Sequence, residues 1–196
     1  ANNFENDLSI IGNNNNNLSY KSDDHGSSLA SATNLEVLSN GSINNDGIIE
    51  RDYDSDSFRF TLINDEQVYL NVNPATNGPN LDILAELVDS NGSVRALSNP
   101  DYTLNATIST FLSAGTYYLR VSGTGRGSAL SDGYSDYGSL GHYSVSGNIP
   151  FDSLAQPTGT PRNLDATDGK YTDKVGVSWD SASSASHYRV YRSTSN

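Results

Sequence analysis

Asp52-Tyr53-Asp54-Ser55-Asp56-Ser57-Phe58-Arg59-Phe60-Thr61-Leu62 joins an acidic knot to a strict alternation. Phe58, Phe60 and Leu62 fall on one face, with Arg59 and Thr61 on the other. A period of two marks a β-strand with one face buried. Three aspartates at alternate positions in the preceding knot repel one another, so a folded chain needs a reason to hold them together. A hard divalent cation supplies one, since calcium takes six to eight oxygen ligands. The competing reading is a solvated acidic loop, the usual fate of a charge run.

The same period recurs outward from this stretch. Val68, Leu70 and Val72 alternate with Tyr69 and Asn71, and Ala106 and Ile108 with Thr107 and Ser109. Tyr117, Leu119 and Val121 alternate with Tyr118 and Arg120, and Tyr143 and Val145 with His142 and Ser144. Leu81 to Val88 is apolar at almost every position and reads as a strand buried on both faces. Asn77-Gly78-Pro79, Ser90-Asn91-Gly92 and Ala114-Gly115 break the pattern where the chain must reverse. Short strands at this spacing predict an all-β fold, a jelly-roll-like β-sandwich of about seven to eight antiparallel strands. Residues 123–141 are rich in glycine, serine and tyrosine and read as a long loop between the last two strands.

The 196 residues divide by composition into four parts. Residues 1–21, with the run Asn13 to Asn17, read as a linker or the tail of an upstream domain. No leader is read at Ala1, and the chain opens as if continuing from something longer. Residues 22–150 form the sandwich. Residues 151–161, with Gln156-Pro157-Thr158-Gly159-Thr160-Pro161, read as a linker. Residues 162–196 carry a new alternation through Val175, Val177 and Trp179, then Tyr188 and Val190, joined through Ser181 to Ser186 as a second β-unit.

Acids outnumber bases 23 to 11, for a formal charge of −12. That charge argues against nucleic acid and against anionic membrane surfaces. No apolar run reaches the length of a membrane span. Without cysteine there is neither disulfide nor thiolate chemistry. An acidic, polar β-protein of this kind suits a secreted, extracellular bacterial module.

A family resemblance attaches to specific segments. Asp23-Asp24-His25-Gly26, Gly47-Ile48-Ile49-Glu50-Arg51, Asp54 to Phe60, Asn80-Leu81-Asp82, Ala114 to Val121 and Gly133 to Gly141 resemble, in order, the bacterial pre-peptidase C-terminal domain. The resemblance implies a calcium-stabilised jelly-roll behind the catalytic domain of a secreted peptidase, with clostridial collagen-binding domains among its relatives. It places Asp23 and Asp24 against Asp54 and Asp56, with Asp52 a weaker candidate. An EF-hand does not fit, because Ser57 stands where its glycine belongs and Ile63 where its glutamate belongs. Ala1-Asn2-Asn3 and Asp7-Leu8 resemble the end of a reprolysin-like zinc-peptidase domain. Residues 157–196 resemble the opening strands of a fibronectin type III domain, with Trp179 as its core tryptophan.

Asp132 and Asp136 are candidates for a second metal site, or loop acids in a turn-rich segment. Tyr118, Tyr134 and Tyr137 are candidates for stacking on a sugar or an extended polypeptide, or ordinary strand filler. Catalysis is not expected of this chain. His25, His142 and His187 are scattered, and His25 reads as a solvated turn residue. No His-Glu-x-x-His or Gly-x-Ser-x-Gly motif occurs. The expected function is a non-catalytic accessory domain of a secreted peptidase, with Ca2+ as cofactor and an insoluble, collagen-like protein as partner, or an aid to secretion and maturation. The alternative is a carbohydrate-binding module of a polysaccharide hydrolase.

Overall fold

The computed structural model describes residues 7–12, 15, 18–150, 154, 160–167, 174–182, 185, 188 and 190. The chain forms two compact units, residues 1–154 and 155–196.

The first unit is an all-β sandwich built from strands β1 (Thr33–Asn34), β2 (Ser42–Ile49), β3 (Ser55–Leu62), β4 (Glu66–Pro74), β5 (Ile83–Asp89), β6 (Val94–Ser98), β7 (Ala106–Leu112), β8 (Gly115–Gly123) and β9 (Gly141–Asn148). One sheet has the order β1-β3-β8-β5-β6 and the other β2-β9-β4-β7. The pairings reveal how the chain wraps. β5 pairs with β6, β4 with β7, β3 with β8 and β2 with β9, all antiparallel. This is a long two-stranded ribbon folded over on itself, and the extra pairs β5–β8 and β4–β9 close each sheet. That arrangement is a jelly roll. The short β1 adds to the first sheet in parallel, Thr33 opposite Phe58.

Alternation sets which side chains enter the space between the sheets. Phe58, Phe60 and Leu62 from β3, Val68, Leu70 and Val72 from β4, and Leu119 and Val121 from β8 are buried in one continuous core. Each large side chain removed from water contributes about 1.5–3 kcal/mol. The apolar stretch Leu81 to Val88 is buried at most positions, as its composition predicts: Leu81, Ile83, Ala85, Leu87 and Val88 are all 0% exposed, and only Leu84 and Glu86 are partly exposed. At the β5–β6 turn Gly92 adopts φ 79°, a conformation natural to glycine. The Asp89 carboxylate accepts from the Asn91 and Ser93 amides there (2.8 and 3.0 Å).

Register places several connections at one end of the sandwich. Ile49 pairs with Gly141, Ser55 with Ser122, Ile83 with Gly123 and Pro74 with Tyr143. The β2–β3 turn, the β4–β5 connection and the long β8–β9 loop therefore share that end. The long loop is ordered by its own contacts, with a bridge between Arg126 and Tyr134 and a 3-10 turn at Asp136–Gly138. Part of the stretch expected to be a linker or tail is a short helix, α1 (Asp7–Ile11), whose Leu8 amide donates to the Tyr137 hydroxyl at 2.8 Å.

In the second unit β10 (Arg162–Ala166) pairs antiparallel with β11 (Val177–Asp180). The strand at Val177 thus has a partner upstream of it; the pairing expected across Ser181 to Ser186 lies largely outside the described residues. Trp179 is partly exposed and meets Tyr188 edge-on at 5.3 Å. Most of 151–161, and much of the chain after Asp180, lies outside the described residues.

Candidate metal centre

Two segments far apart in sequence deliver carboxylates to the shared end. Residues 23–26 run along the start of β3, fastened where the Ser57 amide donates to the Gly26 carbonyl (3.2 Å) and the Ser57 hydroxyl to the Ser27 carbonyl (3.3 Å). The β2–β3 turn supplies the rest. Asp23, Glu50 and Asp54 bring one carboxylate oxygen each within 4.8 Å of one another, and so do Asp23, Asp24 and Asp56. Asp23 belongs to both groups.

Burial makes this cluster expensive without a counter-charge. Asp56 is 0% exposed, Asp54 7% and Glu50 8%. Glu50 Oε2, Asp54 Oδ2 and Asp56 Oδ1 are buried and lack any hydrogen-bond partner among the described residues. Burial is the main cause of a raised Asp56 pKa, about 8; the Tyr143 hydrogen bond opposes it, while Asp54, Asp24 and Asp23 add to it. Burial, then a hydrogen bond with Glu50, raises Asp54 to about 7. Carboxylates with elevated pKa and orphaned oxygens form a donor set that a hard cation completes. The residues therefore fit calcium.

The surroundings hold these groups in place. Tyr143 donates to Asp56 Oδ2 at 2.5 Å, which leaves Oδ1 turned elsewhere. Tyr143 reaches Asp56 because Gly47 lies opposite it in the β2–β9 register, where a Cβ would overlap the tyrosine hydroxyl. His25 is not the solvated residue expected from sequence: its side chain is 16% exposed and packs on Phe58 at 4.6 Å. Its Nε2 donates to the Asp46 carbonyl at 2.9 Å, which leaves Nδ1 to pair with the Thr33 hydroxyl at 2.9 Å. It is a pin that fixes the acidic segment to β1 and β2. Arg51 lies over the Tyr20 ring at 4.4 Å and donates to the Tyr53 hydroxyl at 2.6 Å, fixing the approach to that segment.

Of the residues singled out from sequence, Asp23, Asp24, Asp54 and Asp56 come together, and Asp52 is exposed and belongs to neither group. Glu50 was missed as a donor. Its signal was its place at the end of an inward-facing strand, immediately before the turn. Asp132 and Asp136 are exposed and join no such group among the described residues. The Ser131 hydroxyl donates to Asp132 at 2.9 Å and is the main cause of its lowered pKa. Tyr118 faces outward from β8, opposite Arg59. Tyr134 donates to Asp82 Oδ2 at 2.8 Å, and Tyr137 accepts from α1, so both loop tyrosines serve internal contacts. His187 lies outside the described residues.

No family model matches the chain, and no curated protein does. Among solved structures the chain is similar to the pre-peptidase C-terminal domain of collagenase from Bacillus anthracis, with a TM-score of 0.40 and 14% identity over 58% of this chain and 91% of that one.

Proposed function

We propose that this chain is a calcium-clasped, non-catalytic accessory module of a secreted bacterial peptidase. The observation that carries the calcium reading is the convergence of Asp23 and Asp24 with Glu50, Asp54 and Asp56, three of them buried with oxygens that lack a hydrogen-bond partner among the described residues. Glu50 and Asp54 would hold an ion on one side of Asp23, and Asp24 and Asp56 on the other, so the shared Asp23 suits one ion or a bridged pair. A bound cation supplies the positive charge that lets these carboxylates stay ionised while buried. Asp23 and Asp24 then anchor the leading segment to β3, Glu50 and Asp54 brace the β2–β3 turn, and Tyr143 orients Asp56. The unfolded chain cannot assemble such a set, so binding stabilises the fold.

The accessory role rests on the ordered segments that resemble the pre-peptidase C-terminal domain. His25, which stands beside the acids, has both ring nitrogens engaged, which supports a structural part for it. An insoluble protein as partner, the extracellular location and a partial fibronectin type III unit after residue 161 belong to the same reading.

Thermal unfolding of the metal-stripped chain with added calcium, magnesium or chelator tests it. At calcium 100-fold above its Kd the gain is about 2.7 kcal/mol, or roughly 5–10 °C at 2–4 °C per kcal/mol. Magnesium, which demands tight octahedral geometry, should restore little. An unfolding midpoint indifferent to calcium overturns the metal reading, and cleavage of a peptide library by the purified chain overturns the non-catalytic one.

A further inference from the structure

The outer faces of the two sheets differ in charge. On the β1-β3-β8-β5-β6 sheet each of three neighbouring strands carries a charged residue outward: Arg59 on β3, Arg120 on β8 and Glu86 on β5, the last two 3.5 Å apart. On the β2-β9-β4-β7 sheet, β4 and β7 present only Gln, Tyr, Asn, Thr, Ser and Phe at their outward positions. The acid and the histidine that face outward on that sheet, Asp46 and His142, stand on β2 and β9, at the end toward the Ile49–Gly141 pair. In a chain of net charge −12, this neutral half-face is distinctive.

Two aromatic rings rise from it. Tyr69 is 43% exposed and Phe111 65%. Gln67 opposes Phe111 and Tyr69 opposes Ser109, so the two rings are diagonal neighbours, about 7–8 Å apart at their backbones. The polar groups around them are already oriented: Gln67 donates to the Ser109 hydroxyl at 3.1 Å, and the Thr107 hydroxyl donates to Asn71 Oδ1 at 2.8 Å. β7 is moreover an edge strand with neither charge nor proline among its seven residues, the features that ordinarily guard an exposed edge.

We infer that this face is a docking surface for an uncharged polysaccharide, with Tyr69 and Phe111 as stacking platforms and the amide and hydroxyl groups of β4 and β7 as hydrogen-bond partners. Charge complementarity selects the occupant. An acidic or basic polymer finds no counter-charge here, whereas sugar rings offer apolar faces to aromatics and hydroxyls to amides. A polypeptide added as a strand would use the backbone edge of β7 and leave the rings, which stand out of the sheet plane, unused. The inference goes beyond the calcium reading and rests on a different part of the molecule.

The test uses the full chain with calcium, measuring depletion from solution by cellulose and chitin and retardation in gels holding xylan, with alginate as the charged comparison. Retention on at least one neutral polymer is expected, with none on alginate. Tyr69→Ala and Phe111→Ala should each weaken it about tenfold or more, while Leu97→Ala, exposed on the opposite sheet, leaves it unchanged. Unaltered unfolding midpoints in the two variants separate loss of contact from loss of fold. Sedimentation equilibrium runs alongside. No retention on any neutral polymer, retention undiminished in both variants, or self-association that Phe111→Ala abolishes would each overturn the inference, the last by making a second copy of the chain the occupant. A failed calcium response would show in the unfolding midpoint and leave the retention result to stand by itself.

Discussion

Asp56 and Asp82 are alike in all but their company. Both are buried, at 0% and 3% exposure. Each accepts one hydrogen bond from a tyrosine hydroxyl, Tyr143 at 2.5 Å and Tyr134 at 2.8 Å, and each keeps one oxygen without a partner among the described residues. Asp56, however, stands among other carboxylates. Asp82 stands among backbone groups and hydroxyls. The Ser139 hydroxyl accepts from its amide and donates to its carbonyl (2.8 and 3.1 Å), and the Thr124 amide donates to that carbonyl (2.9 Å). Asp82 is therefore a latch that holds the β8–β9 loop to the start of β5. The same residue type in the same local bond is a candidate metal donor in one place and a loop fastener in the other, according to how many negative charges surround it.

The sharpest way to break that distinction is to neutralise each aspartate in turn. Asp56→Asn keeps the shape and the acceptor for Tyr143 but removes the charge a cation needs. It should abolish most of the calcium-dependent gain in unfolding midpoint, the full 5–10 °C expected of the native chain at about 2.7 kcal/mol. Asp82→Asn should leave the calcium response intact. If the two variants lose the response equally, Asp82 belongs to the same ion-dependent unit and the contrast fails.

Acidity separates the metal-free states next. Asp54 and Asp56 have folded pKa values raised to about 7 and about 8 from an ordinary 3.8. A raised carboxylate pKa means that the folded state holds protons the unfolded chain has released. That contribution is complete below about pH 4 and is lost as pH rises through 7 to 8. The chelated protein should therefore lose stability from pH 4 to pH 8. With calcium present the loss should be small at the alkaline end, because the ion replaces the protons. Asp56→Asn should flatten the metal-free profile. A chelated protein whose midpoint rises across that interval would show that these carboxylates are not forced together.

Much of the sandwich was legible because alternation is a one-dimensional signal. Phe58, Phe60 and Leu62 point inward as their spacing predicts, and the Gly92 turn falls where a reversal was required. β2 escaped because its inward positions include Asn45 and Gly47 as well as Ile43 and Ile49. Asn45 is tolerated inside because its side chain mimics a strand, accepting from the Glu36 amide at 2.9 Å and donating to the Glu36 carbonyl at 3.0 Å. Gly47 is there for Tyr143, a partner nearly a hundred residues away that no local pattern reveals. β6 escaped because an edge strand with exposed Val94 and Leu97 lacks a buried face to impose a period. The candidate site was legible as residue types, since acids at alternate positions before a strand invite a cation. Membership was not. Glu50 and Asp52 flank Arg51 in one turn, and only the three-dimensional course of that turn buries the first and exposes the second.

The smallest contrast lies in the two tyrosines. With calcium added, Tyr143→Phe removes the donor to a fully buried, ionised carboxylate, and hydrogen bonds to charged groups are worth about 1.5–3 kcal/mol. Tyr134→Phe removes the donor to Asp82 from a ring that is 43% exposed, where water can take over, so about 0.5–1.5 kcal/mol is expected. The calcium titration discriminates further. Without Tyr143, Asp56 is free to rotate, so the apparent Kd for calcium should rise along with the loss of stability. Without Tyr134 it should not move, because that hydroxyl orients a loop and no metal donor. Calorimetry of calcium binding on both variants measures this, and an equal shift in the two would place Asp82 and its loop in mechanical contact with the clasp.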